Sequence, residues 1–332
     1  MSKGGVSAMI YRSNLSSYIT GVIDQKKALG YSFSYGERYL ERFDSFCIDQ
    51  FPQETTITQA MGISWATIRD GEKAITTAKR IAAVRELARY MQRKGIEAYV
   101  IPHEFAKQPS SRYVPHIFTD KELAEFFQTV DETDPKIHPE CMEARVMPVL
   151  FRLIYTCGLR PQEGRLLKRE HIDLKEGTIF IPESKKHRDR IVPLSEDMLK
   201  LCRIYSEAVF PMTPKNEYFF PCKALTCYKA GSIRSNFHKY IAKAGITEHF
   251  AGNKPRIYDF RHTFATKRLY QWMKEGKNLD AYLPYLSAYM GHEHLSQTAY
   301  YIHLVPEIFP TLTDIDWEMF SSIIPEVPDY EV

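Results

Sequence analysis

Cysteine is scarce in this chain: Cys47, Cys141, Cys157, Cys202, Cys222 and Cys227 are scattered over 332 residues, and no two form a Cys-x-x-Cys pair. That pattern fits reduced thiols in a cytoplasmic protein better than a disulfide framework. Cys222 and Cys227 stand close, but no nearby His pair completes a zinc set, so no metal site is expected. Long apolar runs are also missing. None approaches the ~20 residues needed to cross a bilayer, which excludes a membrane-spanning helix. The opening MSKGGVSAMIYRSN lacks the layout of a signal peptide, so the expected location is the bacterial cytoplasm or nucleoid. Internal repeats and low-complexity segments are absent as well.

Basic residues are missing from the C-terminal stretch. Residues 302–332 hold seven acids and no Lys or Arg, so the other residues carry 44 basic against 34 acidic groups, a body of +10. The first 112 residues hold 16 basic and 11 acidic groups, about half of that excess. A body of that sign attracts a polyanion such as nucleic acid. The apolar fraction of 44% and charged fraction of 26% are ordinary for globular chains, and the length suits two domains.

Helical periodicity dominates the N-terminal third, with helices expected over 15–29, 35–51, 58–68 and 74–94. Gly30 and Gly95 follow two of them, where a left-handed residue commonly ends a helix. In 74–94 the stripe Ile75, Ala78, Ile81, Ala82, Leu87, Ala88 and Met91 faces inward by this reading. Its opposite side offers Lys79, Arg80, Arg85, Arg89, Arg93 and Lys94. That side is equally compatible with a solvated face and with a face laid on DNA phosphates. Residues 96–117 contain three prolines and the polar AKQPSSR, and read as a linker. Thr119-Asp-Lys-Glu then has the spacing of a capping box and opens a second, mainly helical domain. Helices are expected near 142–157, 162–168, 196–209, 232–244, 259–275, 280–290 and 296–302. The exception is 171–194, where IDL, GTIFI and RIVPL are β-prone runs separated by KEG and by the basic KKHRDR. The fold class is therefore mainly α, with a small antiparallel sheet in the second domain.

Four segments of that domain carry chemistry: TCGLRPQE, with Arg160 and Glu163; the hairpin ESKKHRDRIVPL; YDFRHTFAT, with Arg261 and His262; and YMGHEHLSQTAYYIH, in which His292 precedes Tyr301 by nine residues. Singly, each has a plain explanation as a surface arginine, an exposed turn, a helix cap or a core tyrosine. Jointly they contain what a metal-free exchange of phosphodiesters requires. Guanidinium forks match phosphate oxygens, a lysine can protonate a leaving alkoxide, a histidine can hydrogen-bond the phosphate and a tyrosine hydroxyl can attack.

In type, spacing and order these segments resemble the catalytic domain of the tyrosine recombinases, the phage-integrase family. The likeness covers about 117–304, and the N-terminal helices are similar in layout to that family's core-binding domain. The resemblance implies a core-binding domain over 1–110 with a linker to about 117, a catalytic domain over 118–304 and an acidic tail over 305–332. It assigns Arg160 and Arg261 to the phosphate, Glu163 to supporting Arg160, and His292 to the phosphate as well. Counting eight residues back from Pro193 makes Lys185 the proton donor, with Lys186 as the neighbouring alternative. Tyr301 is the nucleophile, with Tyr300 as the adjacent competitor. His262 supports the site, and Lys186 and Arg188 join Lys79, Arg80, Arg85, Arg89 and Arg93 as DNA-binding residues. Two departures stand out. Tyr258 occupies the position three before Arg261 that is usually His, which puts a histidine's role as base there in doubt. Gly164 replaces an apolar residue, implying tight backbone packing.

What the resemblance implies for function is site-specific cutting and rejoining of duplex DNA through a 3′-phosphotyrosyl link, for a mobile element. It also implies a clamp around DNA and four protomers on two sites, with no cofactor and no metal. Two other readings fit the same residues: a type IB topoisomerase or telomere resolvase, and a catalytically silent DNA-binding protein. About a dozen residues precede the first helix, so no separate arm-binding domain is expected there. The tail's Ile315, Trp317, Met319, Phe320, Ile323 and Ile324 either fold back on the same chain or dock on a neighbouring protomer.

Overall fold

The computed structural model describes residues 11–31, 33–106, 114–132, 142–184, 188–222, 226–246 and 254–304, and only the backbone at 183, 184 and 188. The acidic tail, Lys185 and Lys186 lie outside the described residues, and so does the Arg188 side chain. The chain divides into two compact units, Met1–Arg112 and Tyr113–Val332. Among the described residues no helix is long and apolar enough to cross a membrane.

The first unit contains α1 (Ser16–Ala28), α2 (Ser34–Gln50), α3 (Gln59–Ala66) and α4 (Ala74–Arg93). Thr58 caps α3 by accepting the Met61 amide at 3.3 Å. The core gathers Leu15, Ile19, Val22, Leu40, Phe43, Met61 and Trp65 around α4, with Phe43 edge-on to Trp65 at 5.0 Å between ring centroids. The inward stripe of α4 differs from the expected one. Thr77, Arg80, Ile81, Val84, Leu87, Ala88 and Met91 are buried, whereas Ile75 and Ala82 face outward.

Arg80 therefore belongs to the core and not to a DNA-facing surface. It is 1% exposed and donates to Glu72 from Nε at 3.0 Å and from Nη2 at 2.7 Å, and Nη2 also reaches the Thr67 carbonyl at 3.1 Å. Its guanidinium covers the Trp65 ring at 5.1 Å. The physical reason is spacing: position 80 falls three after Thr77 and four before Val84, on the buried arc. Lys79, Arg89 and Arg93 do face outward, and Arg93 lies 3.7 Å from Glu86. Arg85 is half-buried. Arg80→Ala should accordingly destabilise the first unit by about 3 kcal/mol, because a buried charge pair loses one partner. Lys79→Ala and Arg89→Ala should each stay within about 0.5 kcal/mol. Denaturant unfolding of the three variants checks this ordering.

The second unit opens on α5 (Asp120–Asp131), whose capping box is complete: the Glu122 amide donates to Thr119 Oγ1 at 3.1 Å, and the Thr119 amide donates to Glu122 Oε2 at 2.8 Å. Next come α6 (Met142–Thr156), with Pro148 inside it, and the short α7 (Pro161–Arg165). Strands β1 (Ile172–Asp173), β2 (Thr178–Ser184) and β3 (Arg188–Pro193) form an antiparallel sheet in that order. Ile179 pairs with Val192 and Ile181 with Arg190. Alternation puts Ile179, Ile181, Arg190 and Val192 inside, and leaves Ile191 65% exposed. The remaining helices are α8 (Glu196–Val209), α9 (Ala230–Lys243), α10 (Asp259–Lys274), α11 (Leu279–Met290) and α12 (Leu295–Ala299).

The central α6 buries Val146, Leu150, Phe151 and Ile154 completely. Phe126 packs against Phe151, Phe237 and Phe260 with centroids 5.6, 5.5 and 5.1 Å away. Gly164 meets its expected tight contact, since a Cβ there would lie 3.0 Å from Ile154. Residues 296–302 differ from a continuous α-helix. After Ala299 the backbone tightens into a 3₁₀ turn, Tyr300–His303, as helices often do in their last turn.

Candidate active site

Side chains from α7, β3, α10, the end of α11 and the 3₁₀ turn converge. Arg160 stands immediately before α7, with Pro161 in the first turn, so the chain enters that helix with a fixed backbone angle. Its amide and Nη1 donate to Glu163 at 2.8 and 2.7 Å, and its Nη2 donates to the Gly291 carbonyl at 2.6 Å. Arg190, from β3, grips the same carboxylate with Nη1 at 3.0 Å and Nη2 at 2.6 Å. Glu163 thus accepts four N–H groups. Burial pushes its carboxyl up, but the Arg190 and Arg160 contacts outweigh burial and hold it below the usual carboxylate range.

Arg261, early in α10, is fully buried. Its Nη1 donates to the Gly158 carbonyl at 2.5 Å and its Nη2 to the Met290 carbonyl. The last carbonyls of α11 therefore hold both arginines, at the end of a helix where carbonyls lack helical partners. Gly291 closes α11 in the left-handed conformation, φ +64°, and a Cβ there would come within 2.9 Å of Arg190. Any larger residue would be strained and would push on the arginine cluster.

His292 follows, its Nδ1 2.7 Å from Thr298 Oγ1. Its ring lies 6.0 Å from that of Tyr301. Tyr301, in the 3₁₀ turn, is 3% exposed, and its hydroxyl lies 3.1 Å from His262 Nδ1. Tyr258 sits beside His262 at 5.1 Å between centroids, and with Arg160, Pro161 and Arg234 it lines a cavity of about 320 Å³. A second cavity of about 660 Å³ is bordered by Arg160, Glu163, Lys168, His171, Phe180 and Tyr218.

The electrostatics follow from burial among cations. Burial, with Arg261 and Arg160, pushes His292 down to about 3; burial, with Arg256 and Arg261, does the same to His262. Burial raises the Tyr301 phenol, and Arg261 only partly offsets it. Both imidazoles are neutral near pH 7. A histidine whose folded value lies below its unfolded 6.5 stabilises the fold fully above 6.5, and that stability is lost as pH falls toward 3. The second unit's thermal midpoint should therefore drop over that window, and drop less in His292→Gln. A midpoint equally sensitive to pH in both proteins would contradict the assignment.

Of the residues expected from sequence, the structure brings together Arg160, Glu163, Tyr258, Arg261, His262, His292 and Tyr301. Two members were not anticipated. Arg190 lay in a basic stretch read as an exposed hairpin, yet its position two before the inward Val192 marks it as inward. Thr298, fully buried behind His292, has no comparable signal. Among the described residues no group of three or more His, Cys, Asp or Glu side chains converges as a metal site requires.

The helical second unit, its small sheet and this cluster of guanidiniums, imidazoles and a buried phenol are those of a DNA strand-exchange enzyme. The family model of the phage integrases matches residues 116–307, and the chain belongs to that family, the tyrosine-type site-specific recombinases. A protein described as an integrase/recombinase, y4rE of Sinorhizobium fredii, is 28% identical over 87% of this chain and 91% of its own length. The tyrosine recombinase XerC of Oceanobacillus iheyensis is 27% identical over 70% of this chain and 71% of its own. Among solved structures, the XerH site-specific recombinase in a post-cleavage complex with its palindromic difH substrate is similar in fold, with a TM-score of 0.63 and 19% identity. That match covers 91% of this chain and 84% of XerH.

Proposed function

We propose that Tyr301 attacks a phosphodiester of duplex DNA, leaving a 3′-phosphotyrosyl link and a free 5′-hydroxyl, and that the 5′-hydroxyl of a partner strand reverses the step. The observation that carries this reading is the Tyr301 hydroxyl lying in hydrogen-bond reach of a half-buried imidazole, beside two arginines held by one helix end. Arg160 and Arg261 stabilise the charge that grows on the nonbridging oxygens. Each guanidinium has N–H groups beyond those given to carbonyls. Lys185, or Lys186 beside it, protonates the leaving 5′-oxygen, while His292 and Tyr258 hold the phosphate. No cofactor enters, because the link conserves the bond energy.

Residues 1–110 serve as the core-binding domain. The outward Lys79, Arg89 and Arg93 of α4, with the half-buried Arg85, suit them to DNA phosphates, and Lys186 and Arg188 of the second unit's hairpin join them on the DNA. Exchange between two duplexes needs a nucleophile at each of the four cut strands, so the working unit on synapsed sites is a homotetramer. Excision or integration of a mobile element is the process this chemistry serves, in the cytoplasm or nucleoid. Residues 305–332 join neighbouring protomers.

A nicked suicide duplex tests the reading: cleavage releases a short fragment, rejoining is blocked and the protein stays attached. A denaturing gel should show a slower, DNA-bearing band. A protein that binds the duplex and never yields that band is a silent DNA-binding protein.

A further inference from the structure

Tyr301 is poorly prepared to attack by itself. Burial keeps its proton on, and a neutral phenol is a weak nucleophile, so a neighbouring group must take that proton. His292 engages its Nδ1 with Thr298, and its ring lies 6.0 Å from that of Tyr301, whose hydroxyl bonds His262 instead. Tyr258, where the family usually has His, offers only another phenol. His262 stands four residues after Tyr258, on the same side of α10, and puts Nδ1 3.1 Å from the Tyr301 hydroxyl.

We propose that His262 is the general base of strand cleavage, and so takes over one turn later what a histidine at 258 cannot do here. The proposal rests on the reading of Tyr301 as nucleophile. In the step, the Oη–H bond breaks and Nδ1–H forms, while Oη bonds to phosphorus. The P–O5′ bond breaks with its electron pair on the 5′-oxygen, which takes a proton from the lysine of the hairpin. In rejoining, Nδ1–H returns its proton to the departing Tyr301 oxygen. No oxidant, reductant or metal is needed for the balance.

The surroundings make this base depend on substrate. Facing His262 are Tyr258 and Arg261 on its own helix, Arg256 just before it, Tyr301 from the 3₁₀ turn and His292 from beyond α11. With burial, the two arginines hold the ring at about 3, where it is neutral and can accept a proton but is a weak base. A phosphodiester seated against the arginines cancels much of their field, and a nearby anion favours the imidazolium. Basicity therefore rises when DNA arrives and stays low without it.

The test is the single-turnover rate of adduct formation on the nicked duplex, followed against pH. The unaltered protein should be level from about pH 7 to 9, where an unassisted phenol would gain roughly tenfold per unit. His262→Asn can accept the same hydrogen bond but cannot take the proton. It should be ~10²–10⁴-fold slower near neutrality and recover about tenfold per unit as pH rises. A full rate in His262→Asn, or a deficit equal at every pH, overturns the proposal. So does a rate in the unaltered protein that already climbs tenfold per unit, a result independent of how any variant folds. Tyr301→Phe, run alongside, keeps the two readings apart. An adduct formed by that variant removes the nucleophile assignment. No adduct there, together with an unimpaired His262→Asn, removes only the base.

Discussion

A protein carrying Tyr301→Phe should bind duplex DNA as the unaltered chain does and never become joined to it. Only a hydroxyl is lost from a side chain that is 3% exposed and packed with Leu269, Leu283, Met290 and Ile302. Stability should fall by about 0.5–1.5 kcal/mol, because the half-buried His262 loses a hydrogen-bond partner. The adduct should disappear altogether, since no other described hydroxyl shares a hydrogen bond with that imidazole. Tyr300→Phe should form the adduct at close to the normal rate. If the two variants exchange behaviours on the denaturing gel, Tyr300 is the nucleophile and the nine-residue spacing from His292 has selected the wrong tyrosine.

Arg160→Ala should slow cleavage by about 10²–10³-fold, the usual effect of removing one donor to transition-state charge. Arg190 is expected to matter almost as much without touching the phosphate. It holds two corners of the Glu163 carboxylate, and the other two hold Arg160. Without Arg190 the carboxylate is free to turn, and misplacing a reacting group by about 1 Å costs on the order of 10²-fold. Because that loss passes through Arg160, the double variant should be little slower than Arg160→Ala alone. Losses that multiply would mean Arg190 contributes separately, and single-turnover rates of the three proteins decide between the two.

Much of the fold could be read from local rules. The capping box at Thr119, glycines after helices and the change of periodicity at 171–194 each report on a few neighbouring residues, and each lies where expected. Local rules fail where a long polar side chain obeys a pattern reserved for apolar ones. Arg80 occupies a core position on α4 and Arg190 a core position on β3, and both were grouped by charge with exposed neighbours. The site was legible as a set of residue types, because their order and spacing are particular. Its inner wiring was not. His262 and Tyr301 lie 39 residues apart, and nothing in either helix pattern says which imidazole nitrogen will meet the hydroxyl. That detail depends on how α10 packs against the turn after α12, a relation between segments.

The four-way grip on Glu163 has a consequence for what the site prefers to hold. Arg160, Arg190 and Arg261 bring three positive charges to a space where Glu163 returns one negative charge and both imidazoles are neutral. Within this described cluster two positive charges are left unbalanced. A resting phosphodiester supplies one negative charge. The five-coordinate species formed when the tyrosine oxygen has joined phosphorus, before the 5′-oxygen leaves, carries nearer two. The cluster is therefore better balanced at the top of the barrier than on either side of it. An enzyme built this way binds its intact substrate loosely at the scissile phosphate and reserves its tightest hold for the moment of exchange.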